Sequence, residues 1–174
     1  MTKKEFIRKI SRGKKDILGD FINTLRKKKI KFCIIGGLAV NAYAEPVVSL
    51  DMDVVVVAEK IGCLISELES RYKVERFINS VNISSIYSDL RIQLQTDPRY
   101  QDFIKRATIR QVLGYRLMVA AVRDVLKGKI WAAQDVSRRR SKRQKDLADI
   151  ARLVENRPKL AKLIPEDLKE KLDL

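Results

Sequence analysis

Histidine is absent from all 174 residues of the chain. That excludes zinc sites built on imidazole and every triad that relays a proton through His. The two cysteines, Cys33 and Cys63, lie inside apolar stretches and not at metal-ligand spacing. They read as two buried free thiols, which fits a reducing cytoplasm. No run of about 18 apolar residues occurs, so no membrane span is expected. The opening Met1-Thr2-Lys3-Lys4-Glu5 is not followed by the apolar core of a signal peptide. Aromatic residues make up 6% and few accompany the basic runs, so a base-stacking platform is not indicated. Any chemistry falls to carboxylates, lysines, hydroxyls and a hard metal ion.

Positive charge is what the chain has in excess. Lys and Arg number 37 against 22 acidic residues, a formal net charge of +15. Such an excess points to a polyanionic partner, a nucleic acid or a nucleotide, because cationic side chains displace counterions from phosphates. The charge is clumped. Residues 3–31 are strongly basic, and Arg138-Arg139-Arg140-Ser141-Lys142-Arg143-Gln144-Lys145 holds six cations in eight residues. A surface that tracks phosphates fits these runs. Hydrophobic content of 45% is ordinary for a globular protein, and the length suits one domain or a core with a helical extension.

The pattern predicts a mixed α/β core over residues 1–119 and a helical part over 120–174 packed on it, as a single compact unit. Residues 14–28 show helical spacing, with Ile17, Leu18, Phe21, Ile22 and Leu25 on one side. A short strand at 31–35 is broken by Gly36-Gly37, and a helix is expected at 38–43. The valine-rich run 52–57 reads as a buried strand and 59–71 as a helix. Strands are expected at 74–77 and 83–87 about a turn at Asn79-Ser80. A half-buried strand follows at 90–95, then a turn at Asp97-Pro98-Arg99-Tyr100, and a pair at 110–113 and 116–119 about Gly114. Helices follow at 122–134, 141–156, 158–164 and 165–172. Trp131 reads as a packing residue, and Tyr43 reads equally as a neighbour of the site or as packing.

The stretch that carries chemistry is Ile34-Ile35-Gly36-Gly37-Leu38-Ala39, followed by Ser49-Leu50-Asp51-Met52-Asp53-Val54-Val55-Val56-Val57. Two glycines between a strand and a helix allow a tight turn and let backbone amides approach an anion such as a triphosphate. About fourteen residues after Gly37 comes Asp51-x-Asp53, entering a strand. Side chains two apart on a strand share a face, so both carboxylates point to the side of the glycine turn. Without a cation or donors they would repel each other and resist ionisation. Together they suit a hard divalent ion, Mg²⁺ or Mn²⁺, that also bridges phosphates.

This arrangement resembles the nucleotidyltransferase superfamily, with its apolar strand, Gly-Gly or Gly-Ser, helix and Asp-x-Asp. Within it, the chain is most similar to the AbiEii/AbiGii-type (MenT-like) toxin nucleotidyltransferases. The residues that carry this are Ser49 before Asp51, Lys129 in Gly128-Lys129-Ile130-Trp131, and Lys145-Asp146-Leu147-Ala148-Asp149. The resemblance implies an α/β (α+β) mixed sheet flanked by helices, with a C-terminal helical extension. It implies Asp51 and Asp53 as metal-binding carboxylates, and Gly36, Gly37, Ser49 and Lys129 as the nucleotide cradle. Asp146 would orient Lys129 or the incoming hydroxyl. It also implies a nucleoside triphosphate substrate, an RNA acceptor such as a tRNA 3′ end, and a toxin paired with an antitoxin protein. At two positions the chain departs from the pattern. Gln93 stands where many members have a third carboxylate, for which the substitute is either Asp89 on the same strand face or Asp146, and Val47 stands where toxin-like members have arginine.

Three readings follow. The first is a Mg²⁺-dependent nucleotidyltransferase. The second is a catalytically degenerate module of the same fold that binds nucleotide, RNA or protein. The third is a small-molecule transferase, which a net charge of +15 argues against.

Overall fold

A computed structural model describes residues 16–174 of the chain. Residues 14 and 15 of the expected first helix, and the basic residues before them, lie outside this range. The first helix, α1 (Ile17–Lys27), is capped by Asp16, whose side chain accepts from the Gly19 amide at 2.8 Å. Its inner face buries Ile17, Leu18, Phe21, Ile22 and Leu25 almost completely. Each such side chain contributes roughly 1.5–3 kcal/mol relative to exposure.

Seven strands form one mixed sheet: β1 (Phe32–Ile35), β2 (Asp51–Val56), β3 (Lys73–Arg76), β4 (Ser80–Ser85), β5 (Ser88–Gln95), β6 (Thr108–Val112) and β7 (Tyr115–Val119). Their spatial order is β3-β4-β5-β2-β1-β7-β6. The two central strands, β1 and β2, are antiparallel, while β2 pairs in parallel with β5 and β1 with β7. Strand β1 ends where β2 begins, and there Ile35 lies opposite Asp53. On its other edge Asp51 pairs with Arg91 and Asp53 with Gln93. Strand β7 finishes at the same end, its Val119 beside Ile34. One end of the sheet therefore gathers the glycine turn, the aspartates and the chain that enters the C-terminal helices.

The helices are α2 (Gly36–Val40), α3 (Ala58–Glu69), α4 (Phe103–Arg106), α5 (Val122–Gln134), α6 (Arg140–Asn156) and α7 (Glu166–Leu172). A single apolar cluster runs from Ile17 through β1, β2 and β5 to Leu168 on α7, joining residues on both sides of position 120.

Several local expectations shift. Helix α2 starts on Gly36 itself, so both glycines form its first turn. Strand β2 begins at Asp51. Strand β4 occupies 80–85, with exposed Ile86 and Tyr87 in the turn where a strand was expected, because Ser85 already pairs with Ser88 across a two-residue hairpin. The β6–β7 hairpin turns on Leu113 and Gly114, both at positive φ, a geometry that matches strand twist. The segment 158–164 is a 3₁₀ helix, Pro158–Leu163, and not α-helix. Asp97 accepts from the Arg99 amide at 2.9 Å and opens the 3₁₀ turn Pro98–Tyr100, as expected. Cys33 is buried, but Cys63 is exposed. It sits on the outer side of α3, whose inner stripe is Leu64, Ile65 and Leu68.

Candidate active site

Strand β2 alternates part-exposed Asp51 and Asp53 with buried Met52 and Val54, which puts the two carboxylates on one face. They are not equivalent. Asp51 is gripped by Arg91, at 3.0 Å from Nε and 2.9 Å from the terminal nitrogen, both to Oδ1. Asp53 lines a small cavity and is otherwise enclosed by protein, and among the described residues no donor hydrogen-bonds to it. Burial raises its pKa above the ordinary carboxylate range, and Asp51 adds to this. Lys129, Arg138 and Lys142 pull in the other direction without cancelling the rise.

Gly36 sits at φ +67° directly beside Asp53. A Cβ there would fall inside the Asp53 carboxylate, so the backbone approaches the acid as closely as an unsubstituted Cα permits. Gly37 faces buried Ser49, whose Oγ donates to the Asp51 carbonyl at 3.3 Å and fixes the entry to β2.

The opposite wall comes from α5 and α6. Lys129 is buried, with Nζ at 2.9 Å from Asp146 Oδ1 and 2.6 Å from Asp149 Oδ2. Burial works against its ammonium, but Asp149 and Asp146 together outweigh it, so its pKa lies above that of an ordinary lysine and it stays charged. The other Asp146 oxygen accepts from Arg138 Nε at 2.8 Å. With one oxygen on Lys129 and the other on Arg138, Asp146 can orient both cations. Gly128 is explained by packing: a Cβ there would meet the Tyr100 ring at 3.2 Å.

The cavity between these walls is lined by Gly36, Asp53, Gln93, Tyr100, Lys129 and Arg138, among others. Burial pushes the Tyr100 phenol up to about 12, so it stays neutral. Asp124, also on the wall, is held bidentately by Arg106 at 2.8 and 2.9 Å. The structure thus brings together Gly36, Asp53, Lys129 and Asp146, with Gly37 and Ser49 just behind and Asp51 on the adjoining strand position. Asp89 is exposed at the start of β5 and does not line the cavity. The position opposite Asp53 is Gln93. Trp131 is half-buried, packed edge-on against Tyr100 and stacked on Phe103, with Arg99 and Lys127 over its ring. Tyr43 is buried and donates to the Ala120 carbonyl at 2.8 Å.

Sequence reasoning missed Arg138, Arg91 and Tyr100 as members of this site. Arg138 was visible only as one cation in a run, and nothing marked it from its neighbours. Arg91 could have been found, since it shares the strand face with Gln93.

Could these residues hold a divalent ion? The donor set is two hard carboxylates on one strand face, and among the described residues no third acid, thiol or imidazole completes a cluster. That fits an ion such as Mg²⁺, which is held by one or two carboxylates and otherwise by water and substrate phosphates. It does not fit an all-protein metal cage.

No protein-family profile matches the chain, and no curated protein matches its sequence. Solved structures do share its fold. ANT(2″)-Ia in complex with adenylyl-2″-tobramycin superposes with a TM-score of 0.61 at 13% identity, over 89% of this chain and 96% of that one. The lincosamide antibiotic adenylyltransferase LnuA with lincomycin bound gives 0.54 at 11% identity, over 78% and 95%. An antigenic nucleotidyltransferase-like protein from Paracoccidioides brasiliensis gives 0.50 at 16% identity, over 84% and 89%. The architecture is the nucleotidyltransferase fold expected from the glycine turn and the Asp-x-Asp strand. These structures do not support the narrower toxin-like branch. Among the described residues no helix is long and apolar enough to cross a membrane.

Proposed function

We propose that the chain is a nucleotidyltransferase that moves a nucleoside monophosphate from a nucleoside triphosphate to an acceptor hydroxyl. The observation that carries this reading is Asp53: a carboxylate enclosed beside an obligatory glycine, without a donor among the described residues, and faced by Lys129 and Arg138. Asp51 and Asp53 would hold Mg²⁺, which when bound neutralises charge on the reacting phosphate. Lys129 and Arg138 bind the departing phosphates as point charge and planar fork. Gly36 lets the phosphate chain lie against the backbone. The acceptor oxygen forms a bond to the α-phosphorus, the bond to the β-phosphate oxygen breaks, pyrophosphate leaves, and the hydroxyl proton passes to water. Little covalent work falls to the protein, and positioning with charge stabilisation supplies most of the rate.

The acceptor side is a polar groove of about 660 Å³ that shares Gln93, Gln95, Tyr100 and Arg138 with the cavity over Asp53. Following Arg138 in the chain, Arg139, Arg140 and Lys145 are exposed, and among the described residues none of them forms a salt bridge. A phosphate-rich acceptor, RNA such as a tRNA 3′ end, fits this charge better than a cationic drug does. ANT(2″)-Ia and LnuA are seen with antibiotics, so the small-molecule class is the comparison the test must include. A toxin role with an antitoxin partner rests on the motif resemblance around Ser49, Lys129 and residues 145–149 alone.

The test is label transfer from each α-³²P-NTP, with Mg²⁺, to total RNA, total protein and a panel of aminoglycosides and lincosamides. RNA is expected to take the label. Lys129→Met is expected to reduce it by about 10²-fold or more, the scale of losing one group preorganised for charge developing in the transition state. Label in protein or drug would keep the chemistry and overturn the acceptor. No label anywhere would sink the enzyme reading.

Gln93 supports a second reading, a degenerate binding module, because the position opposite Asp53 carries an amide that cannot accept a proton. If base strength is what the site lacks, Gln93→Asp will raise transfer by about 10²-fold, the usual scale of general-base catalysis. An active native protein whose rate Gln93→Asp leaves unchanged removes this second reading.

A further inference from the structure

The segment 41–50, between α2 and the first aspartate, contains no regular structure beyond turns, yet it must deliver Asp51 and Asp53 in register. One side chain at each end of an unusual network holds it. Asn41, at the end of α2, grips the Val47 backbone from both sides: Nδ2 donates to the Val47 carbonyl at 2.6 Å, and Oδ1 accepts from the Val47 amide at 3.1 Å. The same Oδ1 accepts from Arg152 on α6 at 2.8 Å. Arg152 also donates to the Glu45 carbonyl, and its other terminal nitrogen donates to Asp149 Oδ1 at 2.8 Å. Asp149 Oδ2 in turn holds Lys129 at 2.6 Å. Arg157, the residue just past the end of α6, donates to the Tyr43 carbonyl and closes the same segment from the side.

We infer that Arg152 and Asn41 are positioning residues that couple the phosphate-binding lysine to the loop that leads into the metal-binding aspartates. This rests on the nucleotidyltransferase reading of the site. The path is continuous: Lys129, Asp149, Arg152, Asn41, Val47, each link a hydrogen bond or ion pair, spanning more than a hundred residues of sequence. It is also directional in chemistry. When phosphate draws the Lys129 ammonium away from Asp149, that carboxylate turns more of its charge to Arg152, which tightens its hold on Asn41 and on Glu45. An anion at Lys129 therefore orders the loop that presents Asp51. The backbone grip on Val47 also explains why that side chain is free to point outward, at 52% exposure, with no role in anion contact.

Arg is required by geometry and not by charge alone. A planar fork reaches Asp149 with one nitrogen while the other bridges Asn41 and Glu45, and a lysine cannot span both sides.

The test is hydrogen exchange read by mass spectrometry on peptides covering 41–50, 52–56 and 122–134. It uses the full chain as native protein, Arg152→Lys and Arg152→Ala, each with and without Mg²⁺ and inorganic tripolyphosphate. Both variants are expected to exchange at least about tenfold faster in 41–50, where the hydrogen bonds of Arg152 to Asn41 and to the Glu45 carbonyl are lost or weakened, with 52–56 unchanged. Tripolyphosphate is expected to protect 41–50 in the native protein and not in either variant. In the transfer assay, both are expected to lose about 10- to 100-fold in kcat with little change in KM for the nucleotide, as for a misplaced but intact group. Protection that persists in Arg152→Ala, or restoration of native exchange by Arg152→Lys, overturns the coupling. If tripolyphosphate leaves 122–134 and 41–50 of the native protein unaltered, the nucleotide reading fails instead, and the exchange of the unliganded variants decides the tether by itself.

Discussion

Asp53→Asn will abolish transfer and at the same time raise the melting temperature of the metal-free protein at neutral pH. The two effects share one cause. The enclosed carboxylate is disfavoured in its charged form by burial first and by Asp51 second, and the nearby cations do not make up the difference. Its folded-state pKa lies above the unfolded value, so the fold binds the proton more tightly than the unfolded chain does. Linkage then requires stability to fall as pH rises from the ordinary carboxylate range through the raised folded pKa, with the full cost present above it. The amide of asparagine carries no charge and escapes that cost. The difference in Tm between Asp53→Asn and the native protein should therefore be largest at neutral pH and close as the solution is acidified. Each kcal/mol relieved is worth roughly 2–4 °C in a chain of this size. Addition of Mg²⁺ with nucleotide should stabilise the native protein by mass action and leave the variant unmoved. Transfer should drop on the order of 10³-fold or more, since the neutral side chain cannot hold the ion. Calorimetry across pH, paired with the label assay, reads both. A variant that melts lower than native at neutral pH, or one that still transfers, would remove Asp53 from the centre of the site.

The parts of this site that were legible in the sequence are the parts encoded locally. Asp51 and Asp53 share a face because strand periodicity is two, and Gly36-Gly37 marks a turn because the left-handed backbone taken at Gly36 favours glycine. The pairing of Lys129 with Asp146 and Asp149 was partly legible, since residues three apart on a helix share a face. What failed to show was register and reach. That Gln93, and not Asp89, stands opposite Asp53 follows from how β2 and β5 slide into pairing, which apolar alternation constrains only to every second residue. That Arg138 and not another of six cations meets Asp146 depends on the bend between α5 and α6. The Arg152 to Asn41 contact joins residues 111 apart. Cys63 misled because an apolar helix segment has two sides, and only one of them faces the sheet.

Gly36→Ala will be far more damaging than Gly37→Ala, although the two residues are adjacent and look interchangeable in sequence. At Gly36 two penalties coincide. The backbone is in the left-handed region at φ +67°, which costs a Cβ-bearing residue on the order of 1 kcal/mol or more. The new methyl would also occupy the position of the Asp53 carboxylate, a contact that cannot be relieved by rotating a flexible tip, because the acid's own Cβ is close as well. Either Asp53 leaves the cavity or β1 and β2 separate at their shared end, where Ile35 faces Asp53 in the ladder. At Gly37 the φ is ordinary, and the added Cβ would lie 3.5 Å from Ser49 Oγ, a normal van der Waals contact. The expected result is that Gly36→Ala lowers transfer by about 10³-fold and destabilises the protein by roughly 2–4 kcal/mol, the range for combined strain and overpacking. Gly37→Ala should stay within about 1 kcal/mol of native, with transfer reduced no more than about tenfold. Denaturant melts and the label assay on both variants separate the cases. Equal and mild effects at the two positions would mean that the backbone does not approach Asp53 as described, and would undo the account of why the turn needs glycine.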